Sequence, residues 1–390
     1  TFEPTANRSS WMARLINQHV YDLAANVNRY HRIESVSSSK SLNRSSSVKL
    51  ALIFGGFLTA EGSLTTLQQI FNQLVLSAKI RSFINDGLEL LNRLILQSAN
   101  ELNINWMENN FNLFEWIQIG LPEDDCYGRL NFSISSSILL LNQVIVLMHF
   151  LECSNVTIGQ LKRSSIFLSG FSIGTITAYI VDISNSYEQL RHNALAAIRL
   201  CFWFGLRATE DFHKWKMEQY KSKQTNQCLS SIESDDNDKV NYNTGSLQIS
   251  KVPFQDVFNV INAFNNENEF GYHFDVCVVS QCDQLTITGF ANHLPVLVEY
   301  LKSEFPSCSL VSVGLDIPLH CYSYFPTTAS KILDDFTREQ PQFEGSSTKN
   351  QWNRTILYSD TDGEPSVGVT CIELINSILI EVSRWDLVSD

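Results

Sequence analysis

The stretch "FLSGFSIGTITAYI", residues 167–180, sets Ser172 between Gly170 and Gly174. The spacing is Gly-x-Ser-x-Gly, with apolar residues before it and an amphipathic helical pattern after it. A serine so placed reads in two ways. It is a nucleophile presented on a sharp strand-to-helix turn, or an ordinary serine beside two small residues.

The flanking sequence supports the turn. "SSIFLSG" (164–170) reads as a short buried strand entering it. Upstream, "SSILLLNQVIVLMHFL" (136–151) is a long apolar run, yet it is too short to span a bilayer and carries Asn142, Gln143 and His149. It reads as a buried core helix. Further upstream, "VKLALIFGG" (48–56) reads as a second buried strand running into a tight loop, followed by helical patterns at 63–77 and 81–102. "NNFNLFEWIQ" (109–118) reads as a short amphipathic element, and 186–207 as a further helix.

Residues 1–47 stand apart as a helix at 10–31 and a Ser-rich linker. Residues 218–246 are polar, with acids clustered at 233–238, and read as a flexible surface insertion. Beyond them, 247–315 alternates in the order β-α-β-β-α-β of a ferredoxin-like unit. The remainder, 316–390, offers a strand and turn in "RTILYSDTDGEP" and a helix in "CIELINSILIEVSRW".

Composition narrows the function. With 390 residues, 44% of them hydrophobic, the chain has material for one large core and a smaller one. A net charge of −13 argues against nucleic acid as the partner, since phosphate binding needs clustered Lys and Arg. The nine cysteines show no C-x-x-C pair and no metal-ligand spacing with histidine, so no metal site is expected. Cys277 and Cys282 read as buried thiols, which points to a reducing, cytoplasmic setting. The Asn-x-Ser/Thr matches are those expected in a chain rich in Asn and Ser. The chain begins with Thr, as a piece of a longer protein would.

Taken together, the order of elements is similar to the acyltransferase domain of fatty acid and polyketide synthases. The likeness is strongest to the acetyltransferase domain of the fungal-type fatty acid synthase β subunit. "IFGGFLTAEG" (53–62) resembles that family's Phe-Gly-Gly-Gln-Gly loop, and "LSGFSIGTITAYIVDISNSYEQL" its nucleophile turn, usually Gly-His-Ser-Gln-Gly. "NLFEWIQ", "AIRLCFWFGLRATE" (197–210) and "VCVVSQCDQLTITGF" resemble further segments. "DIPLHCYSYF" (316–325) resembles the Pro-Phe-His-Ser site of the catalytic histidine, and "ILYSDTDGEP" and "LIEVSRWD" the closing elements.

The resemblance implies an α/β fold: an α/β-hydrolase-like core with a mostly parallel sheet (48–246 and 316–390) and an inserted ferredoxin-like subdomain (247–315). It implies Ser172 as nucleophile and His320 as its base, a dyad whose histidine is oriented by backbone carbonyls. The oxyanion donors would be the backbone amides of Phe57 and Ile173. Where malonyl-accepting relatives carry an arginine this chain has Phe204, and an apolar ring cannot pair with a carboxylate, so a neutral acyl group such as acetyl is expected. Phe171 and Ser280 would adjoin the substrate, and Arg207 the phosphates of coenzyme A. The implied substrate is an acyl-CoA thioester, with no permanently bound cofactor. The partner is an acyl carrier protein within a larger synthase, with no membrane or nucleic acid involved.

Departures gather around the same site: Phe171 for His, Ile173 and Phe57 for Gln, Leu58 for Gly, and Ser280-Gln281 for Asn-Gly. They leave open two alternatives, a non-catalytic scaffold domain and the starter-unit transacylase of a polyketide synthase.

Overall fold

Short apolar runs become strands β1 (Leu50–Phe54) and β2 (Ser165–Gly170). Between them lie helices α1 (Ala60–Gln73), α2 (Ala78–Glu101), α3 (Asn131–Ser154) and α4 (Ile158–Ser164). Helices α5 (Ile173–Ile183) and α6 (Tyr187–Gln227) follow. Next come β3 (Thr244–Ser250), α7 (Phe254–Glu267), β4 (Phe274–Gln281), β5 (Gln284–Phe290), α8 (Leu294–Glu304) and β6 (Ser309–Val313). The chain closes with α9 (Thr328–Arg338), β7 (Leu357–Tyr358), β8 (Pro365–Ser366), α10 (Cys371–Leu379) and β9 (Ser383–Arg384).

The structure is a computed structural model. It describes residues 50–55, 60–101, 113, 131–227, 244–267, 273–313, 317–321, 324–325, 327–338, 343, 357–358, 365–366, 371–379 and 383–384. The N-terminal helix and linker expected at 1–47, nearly all of 109–118, the acidic cluster at 233–238, and Phe57 and Leu58 lie outside the described residues.

Two compact units form, and the division falls at Leu206, inside α6. The first unit takes the chain to Gly205 with 335–358 and 365–368. Its sheet has the order β1-β2-β7-β8. Strand β2 pairs in parallel with β1 on one side and β7 on the other, while β8 runs antiparallel to β7. Helix α3 is long and apolar enough to cross a membrane by length and composition, but 89% of its apolar window is buried. That is the environment of a core helix, apolar all round because it is covered all round.

The N-terminal half of α3 carries small side chains for a reason. Ser136 Oγ reaches the carbonyl of Cys201 at 3.0 Å and Ser137 Oγ that of Ile198 at 3.3 Å, both on α6. The helices approach so closely that a Cβ on Gly205 would stand 2.5 Å from Ser133 Cα. Helix α4, unannounced by hydrophobic periodicity, is started by a capping box. Gln160 N donates to Thr157 Oγ1, and Thr157 N donates to Gln160 Oε1. The Thr-x-x-Gln spacing was its readable signal.

The second unit comprises 206–334, 359–364 and 369–390. Its sheet has the order β6-β3-β5-β4-β9. Within the β-α-β-β-α-β run, β3 pairs antiparallel with both β5 and β6, and β4 pairs antiparallel with β5. One face of this sheet is covered by Val257, Ile261 and Phe264 of α7 and Leu297 and Leu301 of α8, packed on Leu247, Ile249, Leu285 and Ile287. The spacing in α7 is that of one helical face.

Four sequence-based expectations are corrected here. Residues 218–227 are not part of a flexible insertion: α6 continues through Gln227, as a run with no Gly or Pro allows, and strand β3 already begins at Thr244. The helix expected over 371–385 does not reach its expected end: it is described over Cys371–Leu379, the Ile378 and Leu379 carbonyls accept from His320 and Cys321, and Ser383–Arg384 instead extends the sheet parallel to β4. Segment 317–321 and helix α10 thus belong with the second sheet rather than with the 48–246 core. Cys282 is exposed while Cys277 is buried, since Cys282 sits in the two-residue turn joining Gln281 to its partner Gln284.

The close approach of α3 and α6 makes a measurable demand. Gly205→Ala is expected to cost about 1–3 kcal/mol, read as a lower urea midpoint with an unchanged slope. Gly87→Ala places its methyl 3.2 Å from a flexible Leu141 terminus and gains helix propensity, so it should stay within about 1 kcal/mol of neutral. Equal losses at the two positions would contradict this account of α3–α6 packing.

Candidate active site

In the first unit the site is built around a change of chain direction. Strand β2 ends at Gly170, α5 begins at Ile173, and Ser172 takes φ 53° and ψ −123° between them. A non-glycine residue with positive φ is strained, by about 1–3 kcal/mol. The flanking glycines make the turn possible sterically. A Cβ on Gly170 would lie 2.1 Å from the Gly174 carbonyl, and one on Gly174 would lie 2.3 Å from the Phe54 carbonyl oxygen. Neither obstacle is a side chain that can move aside.

Hydrogen bonds then fix the turn. Phe171 N donates to Phe54 O at 2.9 Å, Gly174 N to Phe171 O at 2.9 Å, and Thr175 N to Ser172 O at 2.8 Å. Thr175 Oγ1 closes the loop on Gly170 O at 2.8 Å. Ser172 is buried, and Phe171 beside it is half-buried. Ile173 is the first residue of α5, so its amide lies in the turn for which a helix supplies no internal acceptor. The helix dipole adds positive potential there.

The far end of α5 is held by a buried lysine. Lys162 Nζ donates to the carbonyls of Asp182 and Ser184. Ser184 Oγ in turn donates to Ile180 O at 2.6 Å and accepts from Asn193 Nδ2 at 2.9 Å. Burial pushes the Lys162 ammonium below its ordinary pKa and the Asp182 carboxyl above its own, each partly opposed by the other's charge. A cation at this end complements the dipole whose positive end faces Ser172. No sequence signal pointed to Lys162.

Phe204 is wholly buried and packs on Phe132 of α3, with ring centroids 5.9 Å apart. Its ring presents no hydrogen-bond donor.

The second unit holds His320, in another strained conformation with φ 62°. The end of α10 builds its surroundings. His320 N donates to Ile378 O and Cys321 N to Leu379 O, each at 3.0 Å. The ring nitrogen Nδ1 lies 3.2 Å from Ser377 O. A carbonyl can only accept, so Nδ1 carries the proton and the neutral ring keeps its lone pair on Nε2. This is the arrangement a general base needs, and no acidic residue is required to orient it.

Around His320 the second unit is tightly packed. Tyr324 lies 4.6 Å from Trp215 and 5.7 Å from Phe212, centroid to centroid, both in T-shaped contact. Burial raises the Tyr324 phenol and the Cys321 thiol well above their usual ranges, so both stay protonated and unreactive at neutral pH. Arg207 pairs with Glu210, Nη1 to Oε2 at 2.6 Å, and Ser280 sits half-buried on β4. The backbone carbonyl of Ser377 was not singled out in the sequence, since an orienting carbonyl leaves no residue signature.

Comparisons with known proteins bear on this geometry. A family model described as "Starter unit:ACP transacylase in aflatoxin biosynthesis" matches residues 52–320. The fatty acid synthase subunit beta of Schizosaccharomyces pombe is 26% identical over 169 residues, which is 43% of this chain and 8% of that protein. The chain therefore matches only a small fraction of that relative's length. Among solved structures, an MCAT from Streptococcus pneumoniae aligns with a TM-score of 0.53 and 12% identity, over 86% of this chain and 82% of that one. An acyl carrier protein S-malonyltransferase from Vibrio cholerae aligns at 0.51 and 15%, over 86% and 83%. A loading acyltransferase from the avermectin modular polyketide synthase aligns at 0.51 and 12%, over 86% and 81%. At such identities the structural likeness speaks to the α/β fold alone.

The tautomer assignment is directly measurable. Nitrogen-15 shifts of the His320 ring at a pH where it is neutral should show Nδ1 protonated and Nε2 bare. The opposite tautomer would mean the Ser377 carbonyl does not orient the ring.

Proposed function

Because this chain belongs to the starter unit:ACP transacylase family, we propose that it transfers an acyl group from coenzyme A to an acyl carrier protein through an ester on Ser172. One observation carries the reading: Ser172 is held in a strained conformation, between glycines that no larger residue can replace, at the head of a buried helix. Strain of this kind persists where surrounding structure imposes it, and it clusters at sites of chemistry.

In the first half-reaction Ser172 Oγ attacks the thioester carbonyl carbon while His320 Nε2 takes the hydroxyl proton. Negative charge gathers on the carbonyl oxygen, which the amides of Ile173 and Phe57 receive. The carbon–sulfur bond then breaks, and the imidazolium returns its proton to the departing coenzyme A thiolate. In the second half-reaction His320 takes the proton of the carrier's phosphopantetheine thiol, whose sulfur attacks the ester. Ser172 leaves with that proton, and the enzyme is restored. Coenzyme A thioester enters as substrate, and no resident cofactor is needed.

We further read the first sheet as an α/β-hydrolase-like core and the β3–β6 unit as a ferredoxin-like insert, supported by the order β6-β3-β5-β4. Phe171, Phe204 and Ser280 are proposed to adjoin the acyl group, favouring a neutral one such as acetyl, because Phe204 offers a carboxylate no partner. Arg207 is proposed for coenzyme A phosphates, which would share it with Glu210. We place the domain in the cytoplasm, within a larger synthase. The curated relative favours a fatty acid synthase and the family model a polyketide starter step, and the half-reactions are the same in both.

The test is labelling. Acetyl-CoA carrying radiolabel should acylate Ser172, found by peptide mass spectrometry, and Ser172→Ala should take up none. His320→Ala should slow acylation by about 10²- to 10⁴-fold. Malonyl label exceeding acetyl would refute the selectivity assigned to Phe204, and no label from any acyl-CoA would favour a non-catalytic scaffold.

A further inference from the structure

Gln143 sits half-buried on α3, a helix otherwise given over to core packing. Its side chain reaches two other elements. Nε2 donates to the carbonyl of Gly55, just beyond the end of β1, at 2.6 Å. Oε1 accepts from Thr177 Oγ1 on α5. The Gly55 carbonyl can only accept, so the orientation of the amide is settled and both of its ends are used.

The same strand end meets the nucleophile turn in two more ways. Phe171 N donates to Phe54 O at 2.9 Å. The Phe54 and Gly55 carbonyl oxygens also stand 2.3 and 2.5 Å from where a Cβ of Gly174 would be. The end of β1 is thus seated on the first turn of α5, and Gln143 is the side chain that ties the two together. Glutamine suits the place because it supplies a donor and an acceptor at the end of one flexible arm. Leucine supplies neither, and glutamate no donor when ionised.

We propose that Gln143 is a positioning residue for acyl transfer: it locks the end of β1 to the helix headed by Ser172, so that the Ser172 turn and the Ile173 amide keep their geometry. This rests on the reading of Ser172 as nucleophile. Misplacement of catalytic groups by about 1 Å costs on the order of 10²-fold in rate. Substrate contacts are untouched, so the loss falls on kcat and leaves KM nearly constant.

Gln143→Leu and Gln143→Glu in this 390-residue chain are compared with the unsubstituted chain. Gln143→Leu should lower kcat about 10- to 100-fold with KM within about twofold. Hydrogen exchange should quicken about tenfold at 50–55 and 173–178, with the rest of the chain unchanged. Gln143→Glu keeps the shape and guards against a folding failure of the leucine variant. Its activity relative to the unsubstituted chain should recover as pH falls toward about 5, where a protonated carboxyl again donates to Gly55. Thr177→Val added to Gln143→Leu should cost nothing more, since the link is already cut. Wild-type acylation in both variants, or unaltered exchange at 50–55, overturns the proposal and leaves Ser172 as nucleophile. An unsubstituted chain that never acylates overturns both.

Discussion

The turn that presents Ser172 depends on an absence of volume at two positions. Where β2 turns into α5, the backbone of Gly174 lies so close to Gly170 and to the end of β1 that no Cβ fits at either glycine. This contact lets Ser172 stand at the head of a helix while its strand remains paired on both sides. It also seats the Phe54 and Gly55 carbonyls, which gives the Gln143 side chain something to hold. Remove the close approach and strand, turn and helix can no longer share one register.

A second constraint operates around His320. The last carbonyls of α10 would be unsatisfied at any helix end. Here they accept from the backbone of His320 and Cys321 and from the imidazole itself. One set of bonds takes up helix carbonyls, holds a strained turn and selects the tautomer. An orienting carboxylate would do the last of these alone, at the cost of burying a charge.

The unusual residues of this site read differently once seen in place. Phe171 and Ile173 replace polar side chains of the related motif, yet the groups expected to act on the oxyanion are backbone amides, which such changes leave intact. Half-buried Phe171 and buried Ile173 make the surroundings of Ser172 more apolar, where each remaining hydrogen bond is electrostatically stronger. Ser172 and His320 both hold positive φ, a conformation that surrounding structure must impose.

What the sequence by itself determined is local. Gly-x-Ser-x-Gly announced the turn, the alternation over 247–315 gave β4, β5, α7 and α8 in their order, and the Gly-Gly after β1 marked the strand's end. Thr157 and Gln160 carried a capping signal that periodicity passed over. Only the tertiary structure decided that Ser377 orients His320 across a separation of 57 residues, that Gln143 holds Gly55 across 88, and that Ser383–Arg384 joins a sheet. The physical reason is that spacing along the chain records which neighbours share a face or a turn. A hydrogen bond between distant segments depends on which carbonyls packing leaves exposed to a donor, and carbonyls are common to every residue.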